Sequence, residues 1–316
     1  MPTGIIIGIG SGLASAVLAY SAVRGNVLLK LVLFILTPLP VLIAGLGWGV
    51  IATIAGALSG AAIMTVAGGP ALGLTFLLVL GIPAMLVAWL VELGRPSPDG
   101  LTTDWYPAGG ILAAFAGYGG LIPIFFAPFV GGSYATLKPQ ILPFVSRAMK
   151  QMQSQFGAQP LTDAQIDAFA DVMIAALPAT IAAYWTLLFA INVYLAGRIA
   201  LASGRLIRPW PDLHALLPPP WIALALAVTM VLSMLSGTPH MLGSSMTGAL
   251  IVAFMLYGLS VIHSVSRGRV PWMLWVTYAG LLNPAGPYAT ILVALLGLAE
   301  PILNLRKRFT KAVSPT

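Results

Sequence analysis

Long apolar stretches alternate with short polar ones along most of the chain. About 20 apolar residues of α-helix cross the hydrocarbon core of a bilayer, so stretches of this length predict transmembrane helices. The eight predicted spans cover residues 4–22, 31–47, 49–68, 71–92, 109–130, the later part of 162–203, 221–238 and 242–263. The pattern predicts an all-α, polytopic transmembrane helix bundle that forms a single integral membrane domain over residues 1–316.

The last apolar stretch, Val270 to Arg308, is too long for one upright span and short for two. Its middle, Asn283 to Pro287, contains two prolines, which lack a backbone donor and push the preceding residue out of helical geometry. We therefore predict a final helical pair broken by proline. Two interpretations stay open: a tight turn between two short, tilted spans, or a re-entrant break that forms a binding site, as in many transporters.

The largest polar region, residues 131–171, is predicted to be an insertion at the membrane surface between spans five and six. A helix at about 139–157 would be apolar on one face and polar on the other, which is typical of a helix lying on a bilayer. The apolar face comprises Ile141, Val145, Ala148, Met149, Met152 and Phe156. Thr162 and Gln165 have the spacing of a capping box, so they predict that the next helix begins there.

Composition agrees with a lipid environment. The chain is 59% hydrophobic and 7% charged, with a mean hydropathy of +0.97, whereas soluble domains carry about 25% charged residues. The net charge of +7 is therefore interpreted as a determinant of membrane topology, and no nucleic-acid partner is expected. The absence of cysteine excludes disulfides and thiolate metal sites.

The basic residues predict the orientation of the chain. If the N-terminus is cytoplasmic and 270–305 crosses twice, ten of the 15 basic residues are inside and five are outside. A single final crossing with the N-terminus outside gives nine against six. The positive-inside rule favours the first arrangement, with both termini cytoplasmic and 131–171 extracytoplasmic. The ten inside residues would be Arg95, Arg198, Arg205, Arg208, Arg267, Arg269, Arg306, Lys307, Arg308 and Lys311.

Ionisable residues are scarce within the predicted spans. Glu92 and Glu300 lie near span ends and are interpreted as interfacial or helix-pairing carboxylates, with Arg306 or Arg308 as a partner for Glu300. A proton-coupled pump usually needs an acidic or histidine relay inside the membrane, so this scarcity argues against one.

No pattern of catalytic or cofactor-binding residues emerges. Asp163, Asp167 and Asp171 recur every four residues, which favours a solvated acidic helix face over a Ca²⁺ or Mg²⁺ site. Ser260 and His263 could touch on one helix, but an ordinary helix provides no oxyanion hole. The three histidines, His214, His240 and His263, lack metal-site spacing. We expect no enzyme activity, no metal and no cofactor.

Aromatic and amide residues are the remaining candidates for a binding site. Trp185 and Asn192 lie on span six, and Trp275 and Asn283 lie on the final stretch. Aromatic walls with a few polar groups are typical of small-molecule sites, so these four are the candidate ligand-binding residues. The alternative is structural, since amides within membranes usually bind a neighbouring helix through hydrogen bonds.

Small residues recur every four positions in span one, at Gly4, Gly8, Gly12 and Ala16. This spacing places them on one helix face and lets a second membrane helix approach closely, so they are candidate helix-docking residues. A similar stripe in span three comprises Ala52, Gly56 and Gly60. The stripe of span one could therefore dock on another membrane protein or pack internally against span three.

The chain resembles the YybS-like family of bacterial inner-membrane proteins. The resemblance rests on the Gly-rich first span, PLPVLIAGLGWG at 38–49, Trp105-Tyr106-Pro107 and GLAEPILNLRKR at 297–308. It implies a multi-pass protein of the bacterial inner membrane. It also implies a distant similarity to the S-components of energy-coupling-factor transporters, which dock through small residues in their first helix. The chain departs from S-components in using Gly where they favour Ala and in continuing well past residue 203.

These features support two hypotheses for function. The first is a small-solute-binding or transport component that resembles an S-component, with the bilayer around it, a small-molecule ligand and a docking partner. The alternative is a non-catalytic membrane scaffold or assembly partner, because Gly stripes serve helix association equally well.

Overall fold

The computed structural model describes residues 2–22, 27–98, 100–131, 134–156, 162–266, 271–283 and 286–311. The helices of the N-terminal part are α1 (Pro2–Ser21), α2 (Val27–Leu36), α3 (Leu39–Trp48), α4 (Val50–Gly68), α5 (Pro70–Phe76), α6 (Ile82–Glu92), α7 (Ala108–Gly119) and α8 (Ile122–Phe126). A π-helical turn, Leu77–Gly81, joins α5 to α6.

The C-terminal part continues this helical architecture. Its helices are α9 (Lys138–Phe156), α10 (Asp163–Ala202), α11 (Ile222–Ser233), α12 (Thr238–Ser266), α13 (Pro271–Leu282), α14 (Gly286–Leu303) and α15 (Leu305–Lys311). Short 3-10 helices cover Ala127–Val130, Tyr134–Leu137 and Leu213–Ala215. A small antiparallel hairpin, β1 (Gly94–Pro96) and β2 (Thr103–Trp105), connects α6 to α7, and its register pairs Arg95 with Asp104.

In the described part of the chain, eight helical segments are long and apolar enough to cross a membrane. They are Pro2–Ser21, Leu29–Trp48, Val50–Gly68, Pro70–Glu92, Ala108–Phe126, Asp163–Ala202, Thr238–Ser266 and Gly286–Leu303. The predicted all-α polytopic bundle is confirmed, and the chain is an integral, multi-pass membrane protein. The predicted final break is also present, since α13 and α14 are separate helices on either side of 283–285.

Span seven is shorter than the sequence predicted. The apolar stretch 221–238 folds as α11, which has 12 residues and is about 18 Å long, well below the roughly 30 Å of a hydrocarbon core. Gly237 has a left-handed φ of 68°, a conformation that glycine adopts without strain, and it reverses the chain into α12. Length alone did not reveal this turn, because Met234 and Leu235 are as apolar as the helix before them.

The helix α10 is longer than a membrane span. It has 40 residues and a length of about 60 Å, twice the thickness of a hydrocarbon core. Thr162 accepts from Gln165 N while the Gln165 side chain accepts from Thr162 N, so the predicted capping box is confirmed. Its first turns pack against α9 through a small cluster of Val145, Ile166 and Ala170.

The amphipathic helix is confirmed at Lys138–Phe156. Val145 on its apolar face is only 2% exposed because it packs on α10, whereas Met152 on the same face is 52% exposed. The main core lies elsewhere, where α3, α6, α7, α10, α12 and α14 pack together, and its largest fully buried side chains are Tyr257, Phe189 and Phe254.

Candidate functional site

The small residues of α1 pack against α4 within the same chain. A methyl group on Gly8 would overlap the carbonyl oxygen of Ala52, and one on Gly12 would overlap that of Gly56. The contact is looser at Gly4, where the nearest atom, the carbonyl oxygen of Trp48 at the end of α3, would lie 3.8 Å from an added Cβ. Ala16 is 1% exposed beside Met64 and Phe76. The sequence left open whether this stripe docks on another protein or packs against span three, and in the structure it packs against span three.

Trp185 is bound to a break in a neighbouring helix. Its Nε1 donates to the carbonyl oxygen of Val79 at 3.1 Å, and that carbonyl lies four residues before Pro83, which has no N–H to offer it. Val79 lies in the π-helical turn Leu77–Gly81, and the N–H of the next residue, Ile82, donates to the carbonyl oxygen of Leu77. The neighbouring Leu78 carbonyl accepts from the Tyr118 hydroxyl at 2.7 Å. The aromatic donors of α7 and α10 therefore satisfy carbonyls that the proline disturbs.

Asn192 has an equivalent role at a second break. It is fully buried, and its Nδ2 donates to Ile35 O and Leu188 O, both at 2.8 Å. Ile35 lies in the last turn of α2, just before Pro38, where helical carbonyls lack intrahelical donors. The amide thus ties α10 to the junction of α2 and α3. Its Oδ1 has no hydrogen-bond partner among the described residues.

The other two candidate ligand-binding residues lie on the outside of the molecule. Trp275 on α13 is 78% exposed, and Asn283 is exposed with its Nδ2 donating to Ala279 O at 2.9 Å. Trp185 and Asn192 thus lie on the inner face of α10, whereas Trp275 and Asn283 lie on the outer surface. A ligand role for the four stays a prediction.

One end of the bundle is held by buried polar contacts. Arg306 donates through Nη2 to Leu216 O at 2.9 Å and to Ser260 Oγ at 3.1 Å, and Ser260 in turn donates to Leu213 O. Glu300 is 4% exposed and accepts from the backbone N–H of Leu305 at 3.0 Å and of Arg306 at 3.4 Å. These bonds tie α12, α14 and α15 to the Pro-rich loop 203–221.

Several predictions for this end can now be compared with its geometry. Glu300 lies 3.7 Å from Arg306 Nε, so Arg306 is its partner of the two that the sequence proposed. Glu92 is a helix-pairing carboxylate, since its Oε1 accepts from Val50 N at 2.8 Å at the start of α4. Ser260 does not form a hydrogen bond with His263, whose Nδ1 is shared with Leu259 O at 2.8 Å and whose Nε2 lies 3.3 Å from Tyr278 Oη.

Arginines of α10 and of the loop 203–221 lie over tryptophan rings at this end. Arg205 lies over Trp48 and Arg198 over Trp210, each with the guanidinium 5.7 Å from the ring centre. Arg208, which is 9% exposed, lies 5.8 Å from the ring of Trp105 and donates to a backbone carbonyl of the β2–α7 junction at 2.8 Å. Burial lowers the pKa of the Arg208 guanidinium, although arginine stays charged at any physiological pH. The basic residues of this end are thus part of its packing.

The opposite end contains an open cleft between α9, α10 and α12. It has a volume of about 390 Å³. Its lining comprises Ala135, Lys138, Asp171, Ile174, Ala175, Pro178, Gly237, Thr238, His240 and Met241. We refer to it as the α9–α10–α12 cleft. It combines charged groups at the rim with apolar surface on α10, which is the usual composition of a small-molecule site.

The acidic face of α10 contributes an ion cluster to this cleft. Lys138 Nζ lies 2.9 Å from Asp167 Oδ2 and 2.7 Å from Asp171 Oδ1. The hydrogen bonds to Asp167 and Asp171 raise the pKa of the Lys138 ammonium group above its usual value. The acidic face is exposed, as predicted: the side chains of Asp167 and Asp171 are 50% and 58% exposed. Both carboxylates are also paired with the Lys138 ammonium group. No group of three histidines and carboxylates in the described residues is arranged to hold a metal ion.

His240 lines the same cleft. Its Nδ1 lies 2.7 Å from the carbonyl oxygen of Ser233, and a carbonyl only accepts, so the shared hydrogen belongs to Nδ1. Nε2 of the neutral ring is then an acceptor, and it has no hydrogen-bond partner in the described structure.

Sequence reasoning did not identify Lys138, Pro178 or His240 as site residues. A signal existed for Lys138, because it precedes the amphipathic helix and the next helix carries aspartates every four residues. An antiparallel pair of such helices can bring the two together. His240 had no comparable signal, because its partners depend on the turn between α11 and α12.

Comparison with known proteins gives no match: no protein-family model, curated protein or solved structure is significantly similar to this chain.

Proposed function

We propose that this integral membrane protein is a small-solute-binding or transport component, and that its solute binds in the α9–α10–α12 cleft. The cleft itself carries the proposal. Its volume of about 390 Å³ lies within the roughly 300–1,000 Å³ of small-molecule sites. It also joins charged groups to apolar surface at one end of the bundle.

The helix that forms the cleft wall supports this proposal. Pro178 lies inside α10 and has no N–H to donate to the carbonyl of Ile174, one turn earlier. Both residues line the cleft, so a backbone acceptor without its usual helical donor lies next to the solute's position. The helix α10 is continuous here, but a carbonyl without its helical donor can bind a solute, as the exposed backbone groups of interrupted helices do at transporter sites.

Trp185 and Asn192 lie further along the same helix, about 10 Å and 21 Å beyond Pro178 at 1.5 Å per residue. Their donors are bound to the carbonyls of Val79 and Ile35. We therefore assign them a positioning role, in which they hold α10 against α2 and the π-helical turn before α6 while its other end borders the cleft.

A thermal-shift screen of the protein in lipid nanodiscs tests the proposal. Neutral, anionic and cationic small metabolites are added at saturating concentration, since a bound solute stabilises the folded state in proportion to ln(1 + [L]/Kd). Ala175→Phe places a ring in the cleft, and Ala176→Phe is the matched control, since Ala176 is an exposed residue of the same helix outside the lining. A solute whose stabilisation is lost in Ala175→Phe and kept in Ala176→Phe supports a site in the cleft.

Two results of this screen contradict the proposal. One is the absence of any stabilising compound in the three charge classes. The other is stabilisation that is unchanged by Ala175→Phe, because the compound would then bind elsewhere.

The alternative is a non-catalytic scaffold or assembly partner, and the terminal helices favour it. Trp272, Trp275 and Tyr288 are 63%, 78% and 75% exposed, and aromatic residues dominate the energetics of many protein interfaces. A docking face of the S-component kind on α1 would have to use its outer surface, because α4 covers Gly8 and Gly12. Crosslinking in native membranes followed by purification would recover a stoichiometric partner if the scaffold role is correct, and a monodisperse single species would argue against it.

The proposed location is the bacterial inner membrane with both termini in the cytoplasm. Arg205, Arg208 and Arg306 share one end of the bundle, and the positive-inside rule places the more basic end on the cytoplasmic side. The chain has no native cysteine, so Lys150→Cys and Ser203→Cys can be labelled in intact cells without background. Lys150→Cys should react with a membrane-impermeant maleimide, and Ser203→Cys should not. The reverse pattern would invert the orientation.

A further inference from the structure

We propose that the solute of the α9–α10–α12 cleft is a small organic cation with an ammonium group and a short apolar body. This inference rests on the proposed function and names its substrate class. The Lys138 ammonium group holds the position on Asp167 and Asp171 that the solute's ammonium group takes when it binds.

The two carboxylates of the ion cluster bind one ammonium group, and in the described structure that group belongs to Lys138 of the same chain. Two carboxylate oxygens lie 2.9 Å and 2.7 Å from a single nitrogen, the distance of a charge-assisted hydrogen bond. Together Asp167, Asp171 and Lys138 carry a net charge of −1, so the cluster attracts a further positive charge. All three side chains are partly exposed, at 50%, 58% and 31%. Exposed ion pairs contribute little to stability, so this one can exchange partners.

Two further groups beside the cleft are acceptors suited to the same class of solute. Nε2 of His240 is buried beside the cleft and is an acceptor without a hydrogen-bond partner in the described structure, because Nδ1 donates to Ser233. The carbonyl of Ile174 lacks its usual helical donor because of Pro178. Apart from Lys138, the described lining contains no lysine or arginine, so an anionic solute would meet Asp171 without a second cation to offset it.

The apolar part of the lining limits the size of the solute. Ala175, Pro178 and Met241 provide a hydrophobic surface beside the carboxylates. A cation with a short alkyl or aromatic body can bury that body there while its ammonium group contacts the carboxylates. A bare metal ion would gain nothing from this apolar surface.

The test measures binding of n-butylammonium to the full-length protein in nanodiscs by isothermal titration calorimetry. Butyrate and n-butanol are the control ligands, because they keep the alkyl body and change or remove the charge. Lys138→Met removes the competing ammonium group, so butylammonium should bind about tenfold more tightly. Asp171→Asn should weaken binding about tenfold. Lys150→Met, which changes a lysine of α9 outside the lining, should leave binding unchanged.

The outcomes separate this inference from the proposed function. If butylammonium binds wild type, Lys138→Met and Asp171→Asn with equal affinity, the solute does not replace Lys138 on the carboxylates and the inference is wrong. It is also wrong if butanol binds as strongly as butylammonium. If butylammonium does not bind but a neutral or anionic metabolite is lost in Ala175→Phe, the charge class is wrong and the solute site stands. If no compound of any class binds, both proposals are wrong. Melting temperatures of each variant exclude misfolding as the cause.

Discussion

The helices α1 and α4 are held together differently from α9 and α10. Gly8 and Gly12 let the backbones of α1 and α4 touch, so that a single methyl group has no room. In contrast, α10 contacts α9 and α2 through side chains: Val145 packs against it, Asn192 reaches α2, and Lys138 bridges its aspartates. Its contact with α12 is again a backbone contact, because a methyl group on Gly248 would overlap the carbonyl oxygen of Ala179. The contact between α1 and α4 leaves no space for a solute, whereas a cleft of about 390 Å³ lies beside α9 and α10.

This difference separates association from binding within one molecule. Small residues drive membrane helices together because they maximise van der Waals contact. The side chains that join α9 to α10 can rearrange when a solute competes for their partners. We therefore expect substitutions at the α1–α4 contact to change stability, and substitutions at the rim of the cleft to change binding.

The largest effect is expected from Gly8→Leu. The leucine side chain would overlap the backbone of Ala52, and overpacking of this kind destabilises a protein by about 3 kcal/mol. Insertion into the membrane should be normal, because leucine is more lipophilic than glycine. Thermal unfolding of the purified protein measures the loss of stability.

Gly10→Leu is the matched control for this change, since an added Cβ at Gly10 meets nothing within 4 Å. If Gly8→Leu keeps its melting temperature but loses a co-purifying protein, the stripe of α1 docks on a partner and the internal contact is not the important one.

A smaller effect is expected from Val145→Ala, which removes two methyl groups from the contact between α9 and α10. Val145 is 2% exposed, so its truncation should cost about 1–2 kcal/mol at about 0.8 kcal/mol per buried methylene, plus a small cavity term. Limited proteolysis of α9 measures the loosening. Phe144→Ala is the control, because Phe144 is 69% exposed on the same helix, and equal cleavage of both variants would show that α9 does not depend on this contact.

Asn192→Leu should destabilise the protein by about 1 kcal/mol, because interhelical hydrogen bonds in membranes contribute about 0.6–2 kcal/mol each. The substitution leaves the carbonyl of Ile35 without its side-chain donor. Asn283→Leu on the exposed terminal pair should have no measurable effect. If Asn192→Leu instead abolishes solute binding at unchanged stability, Asn192 contacts the solute directly.

The smallest effect on stability is expected at Lys138, and it depends on pH. The folded state raises the pKa of Lys138, so the ion cluster stabilises the protein below the usual lysine pKa of 10.5, and this contribution is lost as pH rises through the higher folded-state pKa. The difference in melting temperature between wild type and Lys138→Met, measured from pH 8 to 11, should therefore be constant well below pH 10.5 and start to shrink above it. A difference that stays constant across this range would show that Lys138 acts through packing.

Much of the fold could be predicted because it depends on local patterns. The apolar stretches located the spans, Thr162 and Gln165 located the start of α10, and proline located the final break. The small-residue spacing of α1 and α4 predicted a close contact, since helical periodicity places such residues on one face.

Tertiary structure alone decided how the polar groups are used. Asn192 and Ile35 are 157 residues apart, and Trp185 and Val79 are 106 residues apart, so no local pattern could pair them. Trp185 and Asn192 were recognised as unusual polar residues in a membrane span, but their partners are backbone carbonyls near prolines, which no side-chain motif records. The cleft likewise depends on three helices meeting at Lys138, Asp171 and His240. Local periodicity determines which segments are helices, whereas the packing of distant segments determines which polar groups meet.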